Sequence, residues 1–519
     1  MNRSIRQAAI LASLFAIVYG AAGQARWGSP SIVLEPTKRE FSHDEFIQYV
    51  VRVRPPWLKK RMRESPLTAQ PIREGIPVST IAGQTSMTLA YDRSRQGWVG
   101  SWPCPWNAPE GRYQIQLSTT SLPEVAGLKV RTVPFKIIGR KPAPVKNKFA
   151  VLTVEDLTDL RAIHWTGPDG QKGDWRVLVD WAEHIGADAL WILSADSGGY
   201  SARLPEDNPW NARSPSTLRM LGRECHKRGL KFGVWAMCYL VGGNPDKSPN
   251  YLYSWEYEGG TLVDGRTKSG RRAISILDPK RPRDIGRLLS EWAALPEVDY
   301  VGLDYIRNAL GGFEMVDEFV QDMKVPLPPG WRSYSKTERM MWLAKKKVAR
   351  KDSDFVDAWQ WWRAHKASSV IRTVASLLGG EKPLWVFTLS WEKGWQHGQD
   401  PIMFRDAGAD LDAVMLYECD KKQFASIIHD WETYLDASQV NLLAGDCIDW
   451  PLHQKDPSGP EEFKRRVLTG YQRLGRNGPA KGVFIHDLLR AIRGRTGPWG
   501  TQKWMETSAQ VIADMKSRP

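Results

Sequence analysis

From residue 149 onward, eight short apolar runs alternate with amphipathic helical patterns. No other feature of the chain constrains its fold as tightly. The runs are Phe149–Val154, Ala189–Ser194, Phe232–Cys238, Tyr300–Leu303, Leu384–Leu389, Ala413–Tyr417, Leu442–Ala444 and Gly482–Ile485. Each is largely continuous rather than alternating, as in parallel strands covered on both faces. Helical patterns at Trp175–His184, Thr217–Arg228 and Asp284–Trp292 lie between them, and Glu461–Leu474 and Gln502–Lys516 follow the last strands. Eight strand–helix units over about 370 residues predict an α/β fold, a (β/α)8 TIM barrel over 149–519. A doubly wound sheet is the alternative. Such a sheet carries a glycine-rich phosphate turn after its first strand. Here the first strand ends in Glu155-Asp156, and no GxGxxG follows.

The barrel carries an insertion near 324–355, where Pro326, Pro328, Pro329 and Gly330 break any helix. A long helix follows from Phe355 to Leu378, with Val356, Trp359, Trp362, Val370, Ile371, Val374, Leu377 and Leu378 at three- and four-residue spacing and Gly379-Gly380 as its stop. Ahead of the barrel, residues 27–140 read as a small all-β sandwich. Its strands are Ser31–Glu35, Phe46–Val53, Ser86–Tyr91, Tyr113–Ser118 and Val130–Ile138. The stretch Pro109–Ile115 resembles the turn that enters a late strand of immunoglobulin-like modules. Arg140–Lys148, with Pro142 and Pro144, is the linker. Residues 1–25 read as a cleaved signal peptide: Arg3 and Arg6, then apolar Ala8–Tyr19, then small residues at Ala21, Ala22, Gly23 and Ala25. The apolar stretch is too short for a transmembrane anchor, and no other is longer, so no integral membrane association is expected. The expected compartment is secreted or periplasmic.

The net charge is +14, and the leader accounts for two of those charges. Export argues against nucleic acid as the partner. The run Lys345, Lys346, Lys347, Arg350, Lys351 sits beside Asp352 and Asp354 and reads as a solvated helix face. The basic excess suits attraction to an anionic polymer, and simple solubility serves equally. The five cysteines, at 104, 225, 238, 419 and 447, show no metal-binding spacing, and the nine histidines are scattered. No metal or cofactor is expected, and no GxSxG nucleophile elbow is visible. Of the twenty-five tryptophans, Trp181, Trp191, Trp235, Trp292 and Trp359 lie at core spacings, whereas Trp391, Trp395 and Trp450 lie at strand ends.

Barrels place their chemistry at the C-terminal ends of their strands. Those ends supply Glu155 and Asp156, then Asp196, then Tyr239, then Asp304, Tyr305 and Arg307. The later strands supply Trp391, Glu392 and Trp395, then Tyr417 and Glu418, then Asp446, Asp449 and Trp450, and finally His486 and Asp487. Acids beside aromatic rings are what sugar cleavage needs. One carboxyl protonates the leaving oxygen, another attacks or activates water, and the rings stack on pyranose faces. Any one of these acids could instead cap the next helix, as expected of Asp174 and Asp284. The proposed catalytic pair is Asp304, ending the strand Val298–Tyr305, and Glu418, ending Val414–Glu418. The other strand-end residues, Asp487 included but His486 not, would bind substrate.

The strand-two segment His184–Ser194, followed by Asp196-Ser-Gly-Gly-Tyr-Ser, resembles the glycosyl hydrolase-like 10 family. So do His226–Ala236, Leu277-Asp-Pro, Val298–Tyr305, Trp361-Trp362-Arg363 and Asp406–Tyr417. This chain has Tyr305 where the family has a second acid, and Leu416-Tyr417 where it has Pro-Gln. The resemblance implies an exported glycoside hydrolase acting on a polysaccharide or a peptidoglycan-type glycan. A catalytically inactive carbohydrate-binding barrel is the alternative, and a scaffold whose sandwich docks a partner is a third reading.

Overall fold

The computed structural model describes residues 31–54, 56–63, 67–79, 87–117, 129–130, 132–155, 160, 163–195, 214–241, 251–267, 272–307, 311–389, 397–417, 419–435, 439–450, 459–475 and 480–517. The chain divides into two compact units, Met1–Phe41 with Glu45–Ile138, and Ser42–Asp44 with Gly139–Pro519.

Among the described residues the first unit is all-β apart from helix α1 (Pro56–Arg63). Its strands are β1 (Ser31–Pro36), β2 (Glu40–Phe41), β3 (Phe46–Arg54), β4 (Leu67–Arg73), β5 (Ile76–Pro77), β6 (Met87–Asp92), β7 (Gly97–Pro103), β8 (Gly111–Leu117), β9 (Lys129–Val130) and β10 (Val133–Ile137). They form one hydrogen-bonded path, β2-β10-β8-β4-β6-β7-β3-β1-β9, with β5 against β4. Strand β6 turns the corner: Met87–Leu89 pair with β4 and Ala90–Asp92 with β7. The halves face each other, since Trp102 of β7 meets Phe135 of β10 edge-on at 6.5 Å. The unit is thus one curled sheet that folds back on itself across β6. Strands β4 and β7 lack a strand signature in the sequence. Pro71 interrupts one, and Gly97 and Gly100 the other; a Cβ at Gly100 would sit 2.2 Å from the Tyr49 ring.

The second unit is a closed barrel of eight parallel strands. In order around the barrel they are β11 (Phe149–Val154), β14 (Ala189–Ala195), β15 (Lys231–Met237), β20 (Tyr300–Asp304), β21 (Leu384–Leu389), β22 (Leu411–Met415), β23 (Leu442–Cys447) and β24 (Ala480–His486). Every expected strand is present, with ends shifted by no more than three residues. Short antiparallel pairs decorate the connections: β12 (Trp165–Thr166) with β13 (Lys172–Gly173), β16 (Leu240–Val241) with β19 (Arg272–Ala273), and β17 (Trp255–Glu258) with β18 (Thr261–Asp264). The helices are α2 (Val177–His184), α3 (Pro215–Lys227), α4 (Arg281–Ala293), α5 (Val316–Met323), α6 (Lys336–Ala349), α7 (Ser353–Leu378), α8 (Pro401–Ala407), α9 (Lys421–Tyr434), α10 (Pro460–Gly475), α11 (Leu488–Ile492) and α12 (Gly500–Ser517). Helix α6 lies within the expected insertion and starts on a capping box of Ser335 and Glu338. Asp284 is not the N-cap of α4, which is Lys280. Asp284 sits in the first turn and accepts from Tyr251 Oη at 2.8 Å. Asp174 accepts Arg176 N–H at 2.9 Å, just before α2.

The lumen is packed with side chains. Trp191 and Trp385 stack at 4.1 Å, with Trp235, Phe387 and Phe484 around them. Gly302 makes the space, because a Cβ there would lie 2.0 Å from the Trp385 ring. All five tryptophans read as core, Trp181, Trp191, Trp235, Trp292 and Trp359, are buried. All five cysteines are buried thiols, none of them in a disulfide.

At the closed end of the barrel, an aspartate just before a strand reaches back to the preceding strand. Asp188 accepts Ala150 N–H at 2.9 Å, Asp299 accepts Phe232 N–H at 2.9 Å, and Asp410 accepts Leu384 N–H at 3.1 Å. Each of these aspartates also donates its own N–H to the carbonyl of the same residue, at 2.7 Å in all three cases. Three pairs of neighbouring strands are thus stapled in register.

Candidate active site at the barrel mouth

Along each barrel strand, alternate residues point into the lumen and out to the helices. Tyr300 packs on the lumen cluster and Gly302 faces Trp385, so Asp304 has inward parity. The same count, from lumen residues Val151, Met415 and Phe484, sends Glu155, Tyr417 and His486 inward at the mouth. Cys447 itself belongs to the lumen cluster.

Glu155, His486 and Tyr417 pack together, and the charges of Glu155 and His486 act on Asp304. Asp304 is buried, and its Oδ1 accepts the N–H of Tyr305 at 2.6 Å. Burial pushes its carboxyl up to about 6; Arg307 opposes that rise and the negative charge of Glu155 adds to it. Glu155 goes the other way. Burial works against its charge, but His486 and Arg490 outweigh burial and hold it at about 2. Its Oε2 lies 3.4 Å from His486 Nε2 and 3.1 Å from Arg490 Nη2. The imidazole is fixed by Thr153 Oγ1 at 2.9 Å from Nδ1 and by the parallel ring of Tyr417, 5.7 Å away at 4°. Arg490 is held in turn by Asp449 at 2.6 Å, and Arg495 binds the same carboxylate at 2.7 Å. The mouth therefore holds a carboxyl that stays protonated into the mildly acidic range and one that is ionised above about pH 2.

The other expected site residues divide. Tyr305 and Arg307 stand beside Asp304, the guanidinium 4.6 Å over the tyrosine ring. Tyr305 adopts φ 53°, a conformation uncommon outside glycine and one that concentrates at functional turns. Asp449 lies in the site as the clamp on Arg490 rather than as a free acid. Asp487 is the N-cap of α11, accepting Arg490 N–H at 2.8 Å, and its other oxygen takes Glu155 N–H at 2.6 Å. Asp446 has outward parity. It is buried against α10, where burial raises it to about 7 and Arg466 is the nearest opposing charge. Tyr239 is fully buried near Arg281 and Asp278. The Trp450 ring packs on Gly497 and meets Trp499 edge-on at 4.8 Å. Asp156, Asp196, Trp391, Glu392, Trp395 and Glu418 lie outside the described residues.

Residues not assigned from the sequence are His486 (noted only as a strand end), Thr153, Cys447, Arg490 and Arg495. Counting inward parity from the apolar core would have chosen His486 over Asp487, and Cys447 over Asp446. Arg490 carries no such signal, because it lies one turn into a helix. Among the described residues no cluster of His, Cys, Asp and Glu could hold a metal ion, and no helix is long and apolar enough to cross a membrane.

No family model matches the chain, and no curated protein matches it. Among solved structures it is similar to a family GH13_31 enzyme at 9% identity and TM-score 0.36, over 66% of this chain and 65% of the other. It is similar to apo pullulanase from Paenibacillus barengoltzii at 11% identity and TM-score 0.36, over 92% and 80%. It is also similar to an α-amylase from Geobacillus thermoleovorans at 12% identity and TM-score 0.36, over 72% and 79%. The chain spans less than two thirds of the length of the first of these. At such values the overlap establishes neither family nor activity.

Proposed function

We propose that the protein is an exported glycoside hydrolase of the glycosyl hydrolase-like 10 kind, cleaving a polysaccharide or cell-wall glycan. The observation that carries this is the opposed protonation of two carboxyls at one barrel mouth, Asp304 and Glu155. Environments that drive paired acids apart mark acid and base roles. Asp304 gives its proton to the glycosidic oxygen as the bond to the anomeric carbon breaks. The fixed charge of Glu155 stabilises the developing oxocarbenium ion. The partner carboxylate is Glu418, which either attacks the anomeric carbon or takes a proton from the water that does. Tyr417 and Tyr305 offer rings to the sugar. The leader, residues 1–25, directs export. The front unit is proposed as immunoglobulin-like: Tyr113 Oη donates to Pro109 O at 2.7 Å, in the manner of a tyrosine corner.

A binding-only barrel is the second reading. One observation favours it: Glu155 is already engaged by Arg490 and His486, so it is no free nucleophile. Reducing-end release is measured over a panel of polysaccharides and purified glycan strands, with Asp304→Asn and Glu418→Gln as controls. Release by the wild type that both variants lose supports the hydrolase. Turnover retained by Asp304→Asn refutes the assignment. Saturable binding without any release establishes the second reading.

A further inference from the structure

Beside Asp304 the chain gathers positive charge that the proposed chemistry does not use. Arg307 stands three residues past the end of β20. Its Nε and Nη1 are buried and have no hydrogen-bond partner among the described residues. Arg363 is buried within α7, its guanidinium 5.8 Å from the Trp359 ring and its Nη1 donating to Gln360 Oε1 at 3.1 Å. His397 is buried in the segment after β21, next to Gly398, where a Cβ would lie 2.4 Å from Arg363 Cβ. Burial first, and then the charge of Arg307, depress both the Arg363 guanidinium, to about 10, and the His397 imidazole, and Arg363, Lys347 and Arg350 add to the field on His397. Among the described residues, the acids that act on the cluster are poor neutralisers. Burial keeps Asp304 protonated up to about 6 and raises Glu314 to about 7, and Glu314 is already committed to Ser275 Oγ at 2.6 Å and Trp255 N–H at 2.8 Å.

Burying donors on a cation without acceptors is costly, and crowding like charges adds to the cost. An arriving anion removes both costs at once. A planar guanidinium with two unused donors matches a carboxylate best. We infer that the sugar unit seated beside Asp304 carries a carboxylate, received by Arg307 with Arg363 and His397 behind it. The substrate class is thus an acidic glycan, built on uronic acids or on sugars bearing a lactyl ether. This rests on the glycosidase reading for the position of the sugar, not for the presence of the subsite.

The full chain is assayed on two matched pairs: oligogalacturonate against its methyl ester, and glycan strands with free against amidated lactyl carboxyls. Binding of the same four ligands to Asp304→Asn is measured by calorimetry. The expected result is a preference of about 10- to 100-fold for one free acid over its neutral form, in kcat/KM and in Kd. Which pair shows the preference names the source of the carboxylate. Arg307→Gln should lose most of that preference through KM, and Arg307→Lys should recover part of it. Equal handling of acid and neutral forms in both pairs overturns the subsite, even if hydrolysis is robust. Discrimination in binding without hydrolysis keeps the subsite and removes the glycosidase reading. An unchanged preference in Arg307→Gln overturns the role of Arg307.

Discussion

Replacing Asp304 by Asn should make the protein more stable while ending turnover. The carboxyl has an ordinary value of 3.8 in an unfolded chain and about 6 in the fold. A raised carboxyl destabilises only when ionised. The cost is absent below pH 3.8, grows as pH rises to about 6, and is constant above it. At pH 7 it amounts to roughly 3 kcal/mol. Asn keeps an acceptor for the Tyr305 N–H and cannot ionise, so it escapes that cost. For a barrel unit of roughly 380 residues, 3 kcal/mol corresponds to about 4 °C in Tm. Thermal unfolding of both proteins is followed by circular dichroism at pH 3.5, 5 and 7. The two should melt within about 1 °C of each other at pH 3.5 and separate progressively, with the variant higher. A variant less stable at pH 7, or an offset that does not change with pH, would refute the reasoning.

Three further outcomes are expected. If Asp304 is the acid, kcat/KM falls as pH rises through about 6, and any fall on the acid side marks protonation of the partner carboxylate Glu418; a rate that rises above pH 7 excludes this role. Arg490→Met removes one partner from a largely buried ion network and should cost about 3 kcal/mol in urea denaturation. It should also lower kcat/KM, because Glu155 loses the guanidinium that holds it in place; an unchanged kcat/KM separates Glu155 from catalysis. Asp446→Asn should leave kcat/KM within about threefold, since the side chain points at α10; a loss of a hundredfold or more would place Asp446 in the mechanism after all.

The barrel was legible because its strands are covered on both faces. That makes Phe149–Val154 or Leu384–Leu389 continuous apolar runs, bounded by helices with their own period. The mouth was legible only to within a residue, and one residue decides which side of the wall a side chain occupies. Asp446 and Cys447 are neighbours, yet the acid faces the helices and the thiol faces the lumen. Asp487 is an acid at a strand end for the ordinary reason that the next helix needs a cap, while His486 before it faces Glu155. The cationic cluster was less legible still. Arg307, Arg363 and His397 come from a loop, a helix and a second loop, and only the closed fold brings them together.

The stapling aspartates have a meaning for the chemistry at the opposite end. In a parallel sheet a slip of one residue exchanges the two faces of a strand. A slip in β20 would present Leu303 to the mouth and turn Asp304 outward. The same error would swap Tyr417 for Leu416 and His486 for Ile485. Asp188, Asp299 and Asp410 each fix an otherwise ambiguous alignment by holding both the N–H and the C=O of one residue on the adjacent strand. They lie far from the mouth, but they act as a reading frame for the barrel: three carboxylates at one end set which letters of six of its eight strands are read at the other.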